Sequence, residues 1–136
     1  LFTWNDDPAY NHRELDVAFA RWGQSNIETA EYVVQPWDAP GHQRRFWQPV
    51  GLLPSTNSFT WRSDAVRFQS AAGDVAAPLP PGDSRLFADW TFGDAAGVPV
   101  PGGENARMNL WLYRGRAPSN RQEVEVIFRS FQFIPG

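Results

Sequence analysis

His12-Arg13-Glu14-Leu15-Asp16-Val17-Ala18-Phe19-Ala20 is the stretch on which the reading of this chain turns. Side chains of a β-strand point alternately to its two faces. Leu15, Val17 and Phe19 then share one face, apolar enough to lie between two sheets. Glu14, Asp16 and Ala18 share the other. The alternation predicts a strand over residues 14–20. Two acids in register on one face repel each other unless the site uses them. Neighbouring like charges raise one pKa, which sets a proton donor beside a charged base or nucleophile. A half-exposed strand whose Glu and Asp simply face water has the same alternation, and the pattern by itself leaves the two readings level.

Outward from this strand, a period of two recurs along most of the chain. Residues 1–4 read as a strand end. Asn5-Asp6-Asp7-Pro8 reads as a turn, because Asn and Asp close side-chain turns and Pro fixes φ. Residues 29–34 are rich in β-branched and aromatic types, and 44–47 form a short strand. Residues 58–62 and 66–70 flank Ser63-Asp64 as a hairpin. Residues 76–83 carry Pro78, Pro80 and Pro81 and form a loop; 86–92 and 107–113 alternate again. Between those two, residues 97–103 carry Pro99 and Pro101 and are barred from a central strand. The last strand is expected over 123–133. There Val124, Val126 and Phe128 share one parity while Phe131 and Phe133 take the other, a slip that predicts a β-bulge near Arg129-Ser130. No amphipathic helix, internal repeat or low-complexity tract interrupts the pattern. About eight short strands in 136 residues predict an all-β fold, an antiparallel β-sandwich forming a single domain over 1–136.

Composition narrows the function. Hydrophobic residues make up 42% and charged residues 20%, which excludes a disordered chain. A net charge of −3 argues against a nucleic-acid or anionic-membrane partner. All 12 cationic residues are Arg, so Schiff-base lysines and the P-loop lysine are excluded. The absence of Cys removes disulfides, thiolate metal sites and a cysteine nucleophile. Two isolated histidines, His12 and His42, do not make a His-rich zinc site, and neither a metal nor a cofactor is implied. No apolar run approaches the ~18 residues of a membrane span, and no signal-peptide pattern opens the chain. An opening at Leu1 rather than Met is that of a processed product or a fragment. Aromatic residues, at 15%, favour strands and stacking surfaces.

Glu14-Leu15-Asp16-Val17-Ala18-Phe19 resembles the active-site strand of glycoside hydrolase family 16, the β-glucanases, laminarinases and relatives built on a concanavalin A-like jelly roll. The family motif is Glu-x-Asp-x-Glu, or a variant one residue longer before the last Glu. Thr60-Trp61 through Phe68-Gln69-Ser70 resembles the aromatic hairpin that follows that strand. Met108-Asn109-Leu110-Trp111 resembles the family's Met-Asn-Leu-Trp strand, and the order of segments is kept. The resemblance implies Glu14 as nucleophile and Asp16 as the group that tunes it. It places the acid/base of a retaining mechanism at Ala18, or at Phe19 in the longer variant, and neither side chain carries a proton. Retaining hydrolysis uses two carboxyls about 5–5.5 Å apart, one protonated for the leaving group. As written, the chain is expected to be inactive or severely impaired. The resemblance further implies a β-sandwich incomplete at its N-terminus, a secreted or cell-surface location, and unpaired edges that favour a homodimer covering the exposed sheet.

Rings stacking on sugar C–H faces, with amides and carboxylates taking the hydroxyls, would form the substrate platform. On the strand expected over 107–113, Asn109, Trp111 and Tyr113 share one face, and Met108, Leu110 and Leu112 form the core side. Asn109 and Trp111 are therefore expected to face a polysaccharide, although Trp111 packing on a neighbouring strand satisfies the same pattern. Trp22, after the acidic strand, and Gln35 with Trp37, on one parity of the next, are further substrate-binding candidates. Trp61 and Trp90 share parity with apolar neighbours and are assigned to the core. Arg13 and Arg21 are assigned to rim ion pairs. Three functions remain: a polysaccharide hydrolase, a non-catalytic polysaccharide-binding module, and a self-associating fragment without a ligand.

Overall fold

The structure, a computed structural model, describes residues 1–49, 51 and 54–135. Its strands are β1 (Phe2–Trp4), β2 (Leu15–Ala18), β3 (Ala30–Val34), β4 (Gln43–Phe46), β5 (Ser55–Trp61), β6 (Val66–Ala72), β7 (Leu86–Phe92) and β8 (Asn105–Arg107). They form two antiparallel sheets, one in the order β4-β3-β2-β1-β8 and one in the order β5-β6-β7. The expected all-β class is therefore present.

Alternation explains the core. Leu15 and Val17 of β2 lie fully buried, and so do Tyr32 and Val34 of β3. With Phe46 they meet Val66, Phe68 and Phe92 of the three-stranded sheet in one apolar cluster. Tyr32 stacks on Phe68 with ring centroids 5.0 Å apart. Its hydroxyl donates to Ser70 Oγ at 2.6 Å, and Ser70 Oγ donates to Asn57 Oδ1 at 2.6 Å. A buried hydroxyl without a partner is costly; this relay supplies one for each group and joins the two sheets. Trp61 and Trp90 pack against the cluster, as their parity indicates.

The hairpin around Ser63-Asp64 forms as expected. Trp61 pairs with Val66, and the Arg62 amide donates to the Ala65 carbonyl at 2.9 Å. The connection from β6 to β7 is held at its middle by Gln69. Its amide accepts from Leu79 N and donates to Leu79 O, each at 2.9 Å, inside the protein.

Two expectations at the C-terminal side are overturned. The strand expected over 107–113 is confined to Asn105–Arg107. Met108, Leu110 and Leu112, assigned to the core, are all exposed, Leu110 at 65%. Pairing stops because the partner ends: Arg107 lies opposite Phe2, and Leu1 beyond it is turned to β2, exchanging hydrogen bonds with Val17. The strand expected over 123–133, with its bulge at Arg129-Ser130, is not formed, and that segment is exposed throughout. Alternation specifies which face of a strand is apolar but not a partner for its backbone, and a strand needs both. The register shift that does occur lies between Ser70 and Ala71, where β6 pairs with β7.

One local conformation has no counterpart in the sequence pattern. Tyr10–Arg13 forms a single helical turn wound left-handed, with φ of 53°, 51°, 61° and 52°. For L-residues this hand costs roughly 1–2 kcal/mol each. Several contacts hold it. Trp4 stacks on His12 at 4.1 Å and 8° between planes. The Asn5 amide donates to the His12 carbonyl at 2.9 Å, and Arg13 Nε donates to the Val100 carbonyl at 2.9 Å. Thr3 Oγ1 donates to the Arg13 carbonyl and accepts from the Leu15 amide, clamping the turn to the start of β2.

Candidate functional site

Residues directly opposite in an antiparallel sheet share a face. Arg107, Phe2, Asp16, Val33 and Gln43 therefore form one row across the five-stranded sheet, on the side away from the core. Ala18, Glu31 and Arg45 form the next row. Glu14 stands one step before Asp16 on this polar face, directly after the left-handed turn.

Glu14 and Asp16 are coupled by proximity. Their carboxyls share a hydrogen bond, and burial raises the pKa of each. For Asp16, burial comes first and the charge of Glu14 second; together they push it up to about 7. Two contacts pull the other way: Gln35 Nε2, which donates to Asp16 Oδ2 at 3.0 Å, and the amino group of Leu1. The pair therefore holds one proton near neutral pH, and a strand face merely wetted by solvent would not do this.

Ala18 lies directly across from Glu31. Glu31 is buried and fully engaged. Its Oε1 accepts from Trp22 Nε1 at 2.7 Å, and its Oε2 accepts from Gln43 Nε2 at 2.8 Å and pairs with Arg45. Burial raises its pKa, while Trp22 and Arg45 act in the opposite sense. Arg45 also donates to the carbonyls of Ala20 and Glu28, closing the end of the face. The oxygens of Glu31 are thus committed to three donors.

Trp22 sits in a tight turn in which Gln24 N donates to the Arg21 carbonyl at 2.8 Å. Trp22 and Gly23 both have positive φ, 49° and 77°, a combination that suits Gly at the second of the two positions. The Trp22 ring lies 5.9 Å from Trp111 and 5.4 Å from Tyr113, and those two are 6.2 Å apart. Trp111 is 60% exposed. An aromatic cluster with an open ring thus stands beside the Ala18–Glu31 end of the polar face, tied to it by the Trp22–Glu31 hydrogen bond.

The structure brings Glu14, Asp16, Ala18 and Gln35 together, and it brings Trp22 together with Trp111. Trp37 is 63% exposed. It joins the group only through its backbone amide, which donates to Gln35 Oε1 at 2.9 Å. Asn109 is exposed, lies outside any strand, and is not gathered with the others. Arg13 makes the expected rim ion pair, to Asp7 at 3.4 Å. Arg21 instead lies over the Trp47 ring, 5.6 Å from its centroid. Glu31 was missed by pattern reading, although it shares a parity with Gln35, the residue just after β3. Tyr113 enters the cluster from a short turn, Tyr113–Gly115, rather than from a strand. Among the described residues, no group of His, Cys, Asp and Glu is arranged to hold a metal ion. Set against known protein families, curated proteins and solved structures, the chain has no match.

Proposed function

We propose that the chain is a carbohydrate-directed domain on a concanavalin A-like jelly roll, resembling the retaining β-glucan hydrolases of family 16, and that it binds polysaccharide along the polar face but hydrolyses it poorly. The observation that carries this reading is the proton-sharing pair Glu14–Asp16 next to the Trp22–Trp111–Tyr113 cluster. Carboxyls supply hydrogen bonds to sugar hydroxyls, and an exposed indole supplies the flat apolar surface a pyranose ring stacks on. A polymeric glycan as ligand goes with a secreted or cell-surface location.

In a retaining mechanism Glu14 attacks the anomeric carbon, and its raised pKa makes it a stronger nucleophile in that step and a poorer leaving group in the second. Asp16, hydrogen-bonded to Glu14, holds or releases the proton that sets how nucleophilic Glu14 is. The departing glycosidic oxygen must receive a proton in the first step. At that place stands the methyl group of Ala18, and Glu31 across from it is occupied by its own donors. The reading therefore includes a specific defect, worth roughly 10²–10⁴ in rate.

Reducing-sugar release from laminarin, lichenan and agarose tests it. Ala18→Glu is expected to raise hydrolysis by about 10²-fold or more over the parent chain, with Glu14→Gln abolishing the gain. In affinity gels the parent is expected to be retarded by at least one of these polymers, and Trp111→Ala to lose that retardation. Retardation without hydrolysis in Ala18→Glu leaves the second reading, a non-catalytic polysaccharide-binding module, which Ala18 itself favours. Neither retardation nor hydrolysis overturns both.

A further inference from the structure

The connection between β2 and β3, residues 19–29, is anchored at its ends and at its turn, and every anchor leads to one pair of side chains. At the ends, the Ala20 and Glu28 carbonyls accept from the same nitrogen of Arg45, Nη2, at 2.7 and 2.6 Å. At the turn, Trp22 Nε1 donates to Glu31 Oε1 at 2.7 Å. Glu31 and Arg45 stand opposite each other on β3 and β4 and pair through their charges. Glu31 is only 3% exposed. A carboxylate that deep is costly unless its oxygens are satisfied, and its donors are Trp22, Gln43 and Arg45.

What the anchoring fixes is an indole. A hydrogen bond to a carboxylate is strong and directional, so Glu31 sets the rotation of the Trp22 ring as well as its place. Tyr113 lies against the same turn: a Cβ on Gly23 would stand 3.7 Å from its ring carbons. Trp111 touches both rings and belongs to residues 108–112, which run outside any strand. Its aromatic neighbours, rather than a backbone ladder, therefore place its open ring. Rings ordered before a ligand arrives spare the cost of ordering them on binding.

We infer that Glu31 is a positioning residue for the aromatic platform: held by Gln43 and Arg45, its carboxylate fixes Trp22, and Trp22 in turn holds the Trp111 ring ready for a sugar. The inference rests on the glycan reading above and adds to it a buried residue that acts without touching the glycan.

Affinity gels and indole NMR test it, the probe being whichever of laminarin, lichenan and agarose retards the parent. Trp22→Phe keeps a ring and removes the N–H. It is expected to weaken binding about 5–10-fold, the cost of ordering the platform at the moment of binding. Glu31→Gln puts an amide where three donors converge, and the same loss is expected. The double variant is expected to bind no more weakly than either single one, because both break one contact. Of the seven indole N–H resonances, the one missing in Trp22→Phe is expected to move in Glu31→Gln, and to move in the parent when a short oligosaccharide of the same polymer is added. Should Glu31→Gln not fold, Gln43→Leu takes its place: it strips one donor from Glu31 at an exposed position, and its smaller loss is expected to vanish in the Trp22→Phe chain. Losses that multiply in the double variant overturn the inference, because Glu31 or Gln43 then acts other than through Trp22. So does undiminished retardation of Trp22→Phe alongside a Trp111→Ala chain that is no longer retarded, a result that leaves the glycan reading standing. A parent that none of the three polymers retards overturns the glycan reading and this inference with it.

Discussion

Asp16 shows how one buried carboxyl links the site to the stability of the fold. Its pKa stands near 7 in the folded chain and returns to about 3.9 on unfolding. Below pH ~4 both states hold the proton, and the group costs nothing. As pH rises from there to 7, the unfolded chain releases the proton first, so the folded state loses stability through that window. Asp16→Asn removes the titration and keeps an oxygen for Gln35. The variant is expected to gain on the order of 2–4 kcal/mol over the parent at pH 8 and little at pH 4, measured by urea unfolding. Asp83 and Asp89, beside their arginines, titrate alike in both chains and cancel in the comparison, whereas Glu14, which shares a hydrogen bond with Asp16, contributes its own change to the measured gain. An equal gain at both pH values would sink the account. Much of this residue-level picture was legible beforehand, because Glu14, Asp16 and Gln35 share a face by parity alone. Glu31 was not, since its role comes from Trp22, Gln43 and Arg45, three residues that only folding brings around it.

Elements divide by whether their pairing is local. β2, β3, β6 and β7 lie within a few residues of where alternation puts them, and the β5–β6 hairpin is set by neighbours in sequence. The left-handed turn Tyr10–Arg13 was hidden because Tyr and Arg carry no preference for positive φ, and only Asn11 and His12 do. Its strain is measurable. Tyr10 has φ 53° and an exposed side chain whose only described partner is the Arg13 guanidinium 5.5 Å from its ring. Tyr10→Gly is expected to stabilise the chain by about 0.5–1 kcal/mol, the relief of the turn less the added freedom of the unfolded state. Thermal unfolding against Tyr10→Ala, which keeps the strain, checks it; a lower midpoint for glycine than for alanine would contradict the turn. The C-terminal segment failed for the opposite reason: its alternation is clear, and among the described residues no strand pairs with it.

Across the whole molecule, the two sheets are joined by packing and by the Tyr32–Ser70–Asn57 relay. Tyr32→Phe keeps the ring stacked on Phe68 and removes one hydroxyl. It is expected to cost about 1–2 kcal/mol in urea unfolding. Combined with Ser70→Ala, the loss is expected to be less than the sum of the two single losses, since they break one hydrogen bond. Strict additivity would show that the relay does not couple the sheets. The connection between β6 and β7 follows another logic. Gln69 grips Leu79 through both halves of its amide, so the excursion that leaves β6 is split into two shorter rings. Chain-closure entropy grows with the logarithm of ring size, and dividing a ring near its middle trims the slack of each half. In a protein with no cysteine, a single neutral side chain thus does the work of a covalent tie, and it keeps that hold in reducing and oxidising surroundings alike.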